Sequence, residues 1–428
     1  MSITQNSKIR RITDSTLIIG TDIAKKVHVA RASNVRGIEL GRPLSFDNSR
    51  HGFEKLMAWI RTLMGDHGCD HVVLGMEPTG HYWMNLAHFL RRQGILVVLV
   101  NPMHVKKSKE MEDNSPTKND RKDARVISQL VKDGRYSVPH IPEDIYANLR
   151  VGMNQRERLI EDLKRVQGRV HNWLDRFFPE FTTVFKDWKG KAALVCLHEV
   201  PSPQDVQEKT ATKIVEKWRE AGIMRGLGLS RAKLLIEAAE QSIGLTEGLE
   251  MARRELKILL GQYDLLHEQL EMLMAEIERL VAAIPGAHQM MSIPGVGLVT
   301  VAGFIAEIGD ISAYDHPRQI QKLAGLNLKE NSSGAHKGKT QISKRGRPRL
   351  RALLFRCAIP LIAKNPEFQV LHRYYTQRPQ NALKSVQSVI VLCCKLIRVL
   401  FALGKKNVPY DPAKLLGPVQ AERLQDIS

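Results

Sequence analysis

The segment Thr16-Leu-Ile-Ile-Gly-Thr-Asp22 is an apolar run that ends on an acid, and it determines the fold of the first domain. Its three aliphatic residues predict a buried strand that presents Asp22 at the carboxyl end. Residues 27–32 and 40–46 follow closely and predict two further strands. Three strands in such quick succession indicate a meander.

Helical and strand patterns then alternate. Residues 49–63 place their apolar side chains on one helical face, and the buried strand at 72–74 delivers Glu77 at its carboxyl end. A helix over 81–93 and a strand over 95–100 come next. The resulting order, β-β-β-α-β-α-β-α, is that of the ribonuclease H and Holliday-resolvase folds. In those folds the first and fourth strands are neighbours, so Asp22 and Glu77 should point into one cleft.

Two more acids are expected on a helix. After residue 102 we expect a polar loop that contains several lysines, and Asp120 then opens a helix that runs to about residue 132. Asp120 and Asp123 are three residues apart and therefore share a face. Carboxylate oxygens gathered in this way suit Mg²⁺ or Mn²⁺, which can activate a phosphodiester. The alternative is that Asp120 is an N-cap, Asp123 a first-turn acid and Glu77 a loop residue.

Four motifs resemble the DEDD transposases of bacterial insertion sequences, the one-ten and eleven-eleven groups. They are Gly20-Thr-Asp-Ile-Ala-Lys25, Glu77-Pro-Thr-Gly-His-Tyr-Trp83, Asn101-Pro102 and Thr117-Lys-Asn-Asp-Arg-Lys-Asp-Ala124. The resemblance implies a RuvC-like domain in which Asp22, Glu77, Asp120 and Asp123 are the metal-binding catalytic set. It resumes near Ser292 and is weak in the middle of the chain.

The composition indicates a polyanionic partner. The chain has 64 Lys and Arg against 45 Asp and Glu, a formal charge of +19 and a pI near 9.7, so it should attract nucleic acid or an anionic membrane. No apolar run reaches the roughly 20 residues of a membrane span, and no signal peptide is apparent. The cysteines form no CxxC pair and predict reduced thiols in a cytoplasm. They are Cys69, Cys196, Cys357, Cys393 and Cys394.

The middle of the chain predicts long helices. Apolar residues recur at heptad spacing over 159–177 and again over 256–284, which predicts coiled coil, although a helix inside a bundle has the same pattern. The partner of the second run is either the first run or another protomer. A mixed insert at about 179–229 separates them, and the family resemblance implies that such helices assemble protomers.

The C-terminal part contains two candidate DNA contacts. Ser292-Ile-Pro-Gly-Val-Gly297 resembles a helix-hairpin-helix, whose Gly295 and Gly297 would let backbone N–H groups approach a phosphate; a tight turn between packed helices is the alternative. A basic tract between residues 336 and 351 has no acid and predicts a loop that grips phosphates, although such tracts are commonly just solvated. Its cations are Lys337, Lys339, Lys344, Arg345, Arg347, Arg349 and Arg351.

A serine pair precedes this tract. From the residues alone, Ser332 and Ser333 are ordinary loop residues. In the family that the chain resembles, a serine of the matching segment is the nucleophile that attacks DNA. The resemblance therefore implies that one of the two is catalytic; we lean slightly to Ser332, and Ser333 stays open.

These observations predict an α/β plus α protein. The expected parts are a flexible N-terminus at 1–15, a RuvC-like catalytic domain at 16–135, a helical linker at 143–284, a C-terminal transposase domain at 285–404 and a tail at 405–428.

The function implied by the resemblance is that of a transposase that cuts and rejoins DNA through a serine, assisted by Mg²⁺ or Mn²⁺. A noncoding guide RNA from the element and a homodimer or homotetramer in the bacterial cytoplasm, associated with the nucleoid, are implied as well. Two alternatives remain: a hydrolytic junction-resolvase-like nuclease and a non-enzymatic nucleic-acid-binding protein.

Overall fold

The computed structural model describes residues 5–112, 120–139, 141–223, 228–329, 332–333, 336–338 and 340–416. The chain divides into two compact units, Met1–Pro142 and Glu143–Ser428. The first is a mixed α/β unit and the second is mostly helical. The predicted combination of an α/β part with a helical part is confirmed.

A six-stranded sheet forms the centre of the first unit. Its strands are β1 (Thr16–Asp22), β2 (Val27–Ser33), β3 (Glu39–Asp47), β4 (His71–Met76), β5 (Leu96–Val100) and β6 (Tyr136–Ser137). They lie in the order β3-β2-β1-β4-β5-β6. The first three form the predicted meander and are antiparallel, and β4 is the predicted neighbour of β1, to which it is parallel. The short edge strand β6 is antiparallel to β5 and was not predicted.

Helices cover both faces of this sheet. They are α1 (Gln5–Ile9), α2 (Arg50–His67), α3 (Trp83–Arg92), α4 (Pro102–Glu112) and α5 (Asp120–Lys132). Leu17 and Ile19 of β1 pack into the core that α2 and α3 complete, whereas Ile18 points to the other face, against Val126 and Ile127 of α5. Both faces are therefore buried, which explains why β1 is a continuous apolar run.

Two segments of this unit differ from the expectation. The segment predicted to be a polar loop forms helix α4. Val105 of this helix is buried in the core beside α5, while most of its neighbours are exposed. Helix α1 lies in the segment expected to be a flexible N-terminus. Its Gln5 side chain donates to the carbonyl of Asp133 at 3.0 Å.

Thirteen further α-helices lie in the described part of the second unit. They are α6 (Asp144–Phe177), α7 (Phe181–Val184), α8 (Lys191–Glu199), α9 (Pro203–Gln207), α10 (Ala211–Glu220), α11 (Leu229–Glu240), α12 (Leu249–Ala282), α13 (Ala287–Met291), α14 (Leu298–Ile308), α15 (Pro317–Leu323), α16 (Pro348–Lys364), α17 (Pro366–Gln377) and α18 (Ser385–Lys406). Two short ladders pair β7 (Leu328–Lys329) with β10 (Gln341–Ile342) and β8 (Ser332–Ser333) with β9 (His336–Lys337).

The long helices α6 and α12 carry the two heptad runs and pack against each other within one chain. The indole N–H of Trp173 donates to the carbonyl of Ala252 at 2.7 Å, and Arg156 Nε donates to Met274 Sδ at 3.2 Å. Trp173, near the end of α6, contacts the start of α12, whereas Arg156, nearer the start of α6, contacts α12 near its end. The two helices are therefore antiparallel. The first run is therefore a partner of the second.

Two hydrophobic cores lie along this helix pair. One end of the pair, near Leu149 and Ile277, packs with α13–α18, and the other, near Trp173 and Leu256, packs with α7–α11. The insert between the heptad runs is thus a small helical bundle that shares its core with this end of the helix pair.

By length and composition alone, α18 could cross a membrane, although no equally long apolar run was recognised in the sequence. Leu392, Leu396 and Leu400 of this helix are fully buried in the core of the second unit. A buried core helix satisfies the same test, so the feature is weak evidence for a membrane span.

Candidate catalytic and nucleic-acid-binding sites

Two of the predicted acids lie at the ends of neighbouring parallel strands. In the register of β1 and β4, Thr21 pairs with Met76. Asp22 is the last residue of β1, and Glu77 directly follows β4. Both side chains are partly buried. The strand pairing therefore brings these two carboxylates to the same edge of the sheet.

A glycine pair brings the third acid to that edge. Gly20 and Gly75 are partners in the β1–β4 register, and α5 crosses the sheet above them. A Cβ on Gly20 would lie 2.0 Å from the carbonyl oxygen of Ala124. A Cβ on Gly75 would lie 2.3 Å from Val131. Only residues without side chains allow this close approach, which fixes α5 and the residue before Ala124 over the strand ends.

That residue, Asp123, is buried and forms an ion pair with Lys109 of α4. Burial raises the pKa of Glu77, the Lys109 ammonium lowers it, and the negative charge of Asp123 raises it. Glu77, Lys109 and Asp123 are therefore close enough to interact electrostatically. Sequence reasoning placed Lys109 in a polar loop, because α4 has too weak an apolar pattern to indicate that Lys109 reaches α5.

The fourth predicted acid, Asp120, is the first residue of α5, as predicted. Its side chain lies outside the described part of the structure. Residues 113–119, which carry part of the fourth family motif, also lie outside it.

Carboxylate oxygens are the ligands that Mg²⁺ and Mn²⁺ prefer, and the repulsion between Glu77 and Asp123 is what a cation would relieve. The chemistry of these donors thus fits a divalent metal. Among the described side chains, however, no group of three or more His, Cys, Asp or Glu residues is arranged to hold an ion. In this arrangement the Lys109 ammonium supplies positive charge to Asp123.

The glycine-rich turn predicted to contact DNA connects α13 to α14. Gly295 has a φ of +94°, which favours glycine, and its Cα packs near Leu361 of α16. Gly297 caps α14 in an extended conformation without a side-chain hydrogen bond, and open space surrounds the position of its missing Cβ. The turn therefore packs a helix pair together and leaves its Gly297 side open.

The basic tract is only partly a loop, because α16 begins at Pro348. Arg347 forms an ion pair with Glu307, Arg349 with Glu157, and Arg351 donates to the carbonyl of Ala324 at 2.8 Å. These guanidinium groups hold α16 to neighbouring elements. Lys344 and Arg345 are exposed in the loop itself. Lys339 and the side chain of Lys337 lie outside the described part.

The serine pair forms the short strand β8. Ser332 pairs with Lys337 and Ser333 with His336, so the serines lie opposite the start of the basic tract in a two-stranded ladder. The ladder shows that this segment is extended. The side chains of both serines lie outside the described part, so their geometry distinguishes neither one.

Two family models match this chain. One covers the part that carries the acidic residues, and the other covers the part that carries the glycine-rich turn, the serine pair and the basic tract. Residues 19–179 match a transposase family of the DEDD type of IS110 elements. Residues 287–373 match the transposase family of IS116, IS110 and IS902.

Several relatives cover most of the chain, and three of them serve as examples. A protein of insertion element IS116 from Streptomyces clavuligerus is 28% identical over 69% of this chain and 73% of its own length. A protein of insertion element IS110 from Streptomyces coelicolor is 22% identical over 93% of this chain and 96% of its own. A pilin gene-inverting protein from Moraxella bovis is 23% identical over 93% of this chain and 98% of its own.

Proposed function

The chain belongs to the DEDD transposase family of insertion sequences related to IS110, and we propose that it moves its element by serine-mediated DNA strand exchange. It is a transposase, so its substrate is DNA. The observation that carries the finer proposal is the meeting of Asp22 and Glu77 at the ends of parallel neighbours β1 and β4, with Asp123 held beside them by α5.

We propose that the first unit is a RuvC-like domain spanning residues 16–135. Asp22, Glu77, Asp120 and Asp123 would hold Mg²⁺ or Mn²⁺, which supplies positive charge to the phosphate under attack. The half-buried Glu77 and the buried Asp123 repel each other, and a cation bound by this pair would reduce the repulsion. Lys109 then acts as a resident cation that pairs with Asp123 and holds it in position.

The proposed nucleophile is Ser332 or Ser333. Its hydroxyl oxygen forms a bond to phosphorus, the deoxyribose oxygen leaves with the electrons of the broken P–O bond, and the serine proton is lost to a base. A hydroxyl of the receiving strand then attacks the phosphoserine and releases the serine. The phosphodiester bond energy is kept throughout, so rejoining needs no external energy source.

Strand exchange accounts for the relatives better than hydrolysis does. A pilin gene-inverting protein matches almost the whole chain. Inverting a gene requires that every cut strand be rejoined, which a hydrolytic resolvase acting once does not accomplish. This similarity supports the transposase reading over the nuclease and over a non-enzymatic binding protein.

Further parts of the proposal concern the partners. The turn at Gly295 and Gly297 would act as a helix-hairpin-helix that contacts phosphates, together with Lys337, Lys339, Lys344 and Arg345. Of the arginines predicted in the tract, Arg347 and Arg351 are held by protein partners, so their contribution would be to the local field. A guide RNA from the element and assembly as a dimer or tetramer in the bacterial cytoplasm complete the proposal.

The remaining boundaries are proposed from the sequence as well. A linker at 143–284 would join the catalytic part to a transposase domain at 285–404, followed by a tail at 405–428. We propose that the heptad helices of the linker serve assembly in addition to packing on each other.

Strand cleavage in serine and acid variants tests this function. Protein, Mg²⁺, element RNA and end-labelled DNA are incubated, and cleaved and joined strands are measured. We expect one of the two serine variants, Ser332→Ala or Ser333→Ala, to lose both cleavage and joining. Asp22→Asn should lose both activities as well. Ser385→Ala, an exposed serine at the start of α18, is the matched control and should stay active. Cleavage that survives in the double serine variant would support hydrolysis instead.

A further inference from the structure

A cleft of about 350 Å³ opens between α6, α14 and α16 in the second unit. Arginines from the two outer helices line it: Arg150 and Arg156 from α6, and Arg349 and Arg356 from α16. Gly295 of the glycine-rich turn lies at its wall. The cleft therefore adjoins an element already expected to contact phosphates, but most of its charge comes from a different part of the chain.

Two glutamates hold some of these arginines in place. Glu157 pairs with Arg349 at 3.3 Å and with Arg356 at 3.6 Å. Glu307 pairs with Arg150 at 3.9 Å. The lining thus contains four guanidinium groups and two carboxylates, and it keeps an excess of two positive charges.

Among the four arginines of the cleft, Arg156 is the one whose charge is not explained by an ion pair among the described residues. It is partly buried, and its Nε donates to the thioether sulfur of Met274, a weak acceptor. Among the described residues no carboxylate lies within ion-pair distance of it. Burial and the charge of Arg356 lower its pKa, while Glu157 raises it. Partial burial of a guanidinium group without a carboxylate at ion-pair distance costs free energy.

An anion in the cleft removes this cost. A phosphate oxygen between Arg156 and Arg356 would turn their repulsion into two charge-assisted hydrogen bonds, the strongest kind of polar contact available to guanidinium groups. Glu157 pairs with Arg349 and Arg356, so it competes with the anion for these two guanidinium groups.

We propose that this arginine cleft, formed by Arg150, Arg156, Arg349 and Arg356, binds a backbone phosphate of a nucleic acid strand that runs across α6 and α16. The site shares no residue with the acidic cluster or with the serine strand. It depends on the proposed function only in the choice of polyanion, and binding is measured without any strand cleavage. DNA and RNA carry the same phosphodiester, so both are tested.

The salt dependence of binding is the test. The full-length protein is titrated with a fluorescent duplex DNA and, separately, with a single-stranded RNA, each of mixed sequence, over a range of salt concentrations. Each phosphate contact contributes a slope of about 0.9 for duplex DNA and about 0.7 for a single strand in a plot of log affinity against log salt. The double variant Arg156→Gln/Arg356→Gln should lose about one contact with at least one polymer.

The control is Arg158→Gln/Arg165→Gln, which removes the same charge from exposed positions of α6. Its slope should stay within a few tenths of the unaltered protein. Equal losses in the two double variants, or no loss in the cleft variant with either polymer, would overturn the proposal.

Glu157→Gln gives an independent answer if the arginine variant fails to fold. This variant removes the carboxylate that competes with the phosphate, so an anion site predicts tighter binding, about threefold or more at low salt. Unchanged or weaker binding would mean that the cluster only ties α6 to α16.

Discussion

Gly20→Ala should displace α5 and damage the acidic cluster while leaving every acid in the sequence. The new Cβ would lie 2.0 Å from the carbonyl oxygen of Ala124 and 2.5 Å from the amide nitrogen of Ser128, and contacts under 3.0 Å essentially never occur. Both atoms belong to the helix backbone, so α5 must retreat by about 1 Å. Such overpacking costs about 1–3 kcal/mol. A misplacement of about 1 Å at a catalytic group costs roughly a hundredfold in rate.

Urea unfolding and strand-cleavage rates measure the two effects. The matched control is Gly65→Ala in the exposed last turn of α2, where a Cβ meets nothing within 4 Å. That change should raise the free energy of unfolding by about 0.5–1 kcal/mol because glycine is unfavourable inside a helix. A Gly20→Ala protein with unaltered stability and full activity would refute the claim that this close approach positions Asp123.

Three further outcomes are expected. Because the folded protein raises the pKa of Glu77, ionisation of this carboxyl disfavours the fold, and the loss of stability develops as the pH rises from the ordinary pKa of a glutamate to the raised one. Glu77→Gln should therefore raise the Tm at neutral pH without metal, and the gain should vanish below the ordinary pKa of a glutamate; a constant difference would contradict the assignment. Lys109→Met removes the ammonium that pairs with Asp123, so Mg²⁺ should raise the Tm of this variant more than that of the unaltered protein, as differential scanning fluorimetry would show. Trp173→Phe removes a buried hydrogen bond to α12 and should cost about 1 kcal/mol in urea unfolding, more than Trp188→Phe, whose indole nitrogen has no partner in the described residues.

The sheet of the first unit was predictable because each strand that matters is a short apolar run bounded by polar residues. Ile18 and Ile19 point to opposite faces, and both faces are covered, so β1 is recognised as a short continuous apolar run and not by alternation. The pairing of β1 with β4 followed from the order of elements. Helix α4 escaped prediction because Val105 is its one buried residue among the side chains described there.

Contacts between distant segments lay beyond the sequence. Arg349 donates to the side chain of Asn154, which is 195 residues earlier in the chain. No periodicity connects α6 with α16, so the basic tract looked like a free loop. The ion pair of Lys109 with Asp123 is similar, because it depends on how α4 packs against α5. The residue types indicated which ligands and charges a site could contain. The packing of distant segments determines which charged side chains form ion pairs within the protein.

The measurement that tests the central claim most directly is mass spectrometry of the protein after reaction with Mg²⁺, element RNA and DNA. The DNA substrate carries a nick that traps the covalent intermediate. We predict a denaturation-resistant protein–DNA adduct whose digested peptide carries one nucleotide phosphate on Ser332 or Ser333. The adduct should be absent from Asp22→Asn. Efficient cleavage with no modified peptide, or with the phosphate on a residue outside 332–333, would contradict serine-mediated strand exchange.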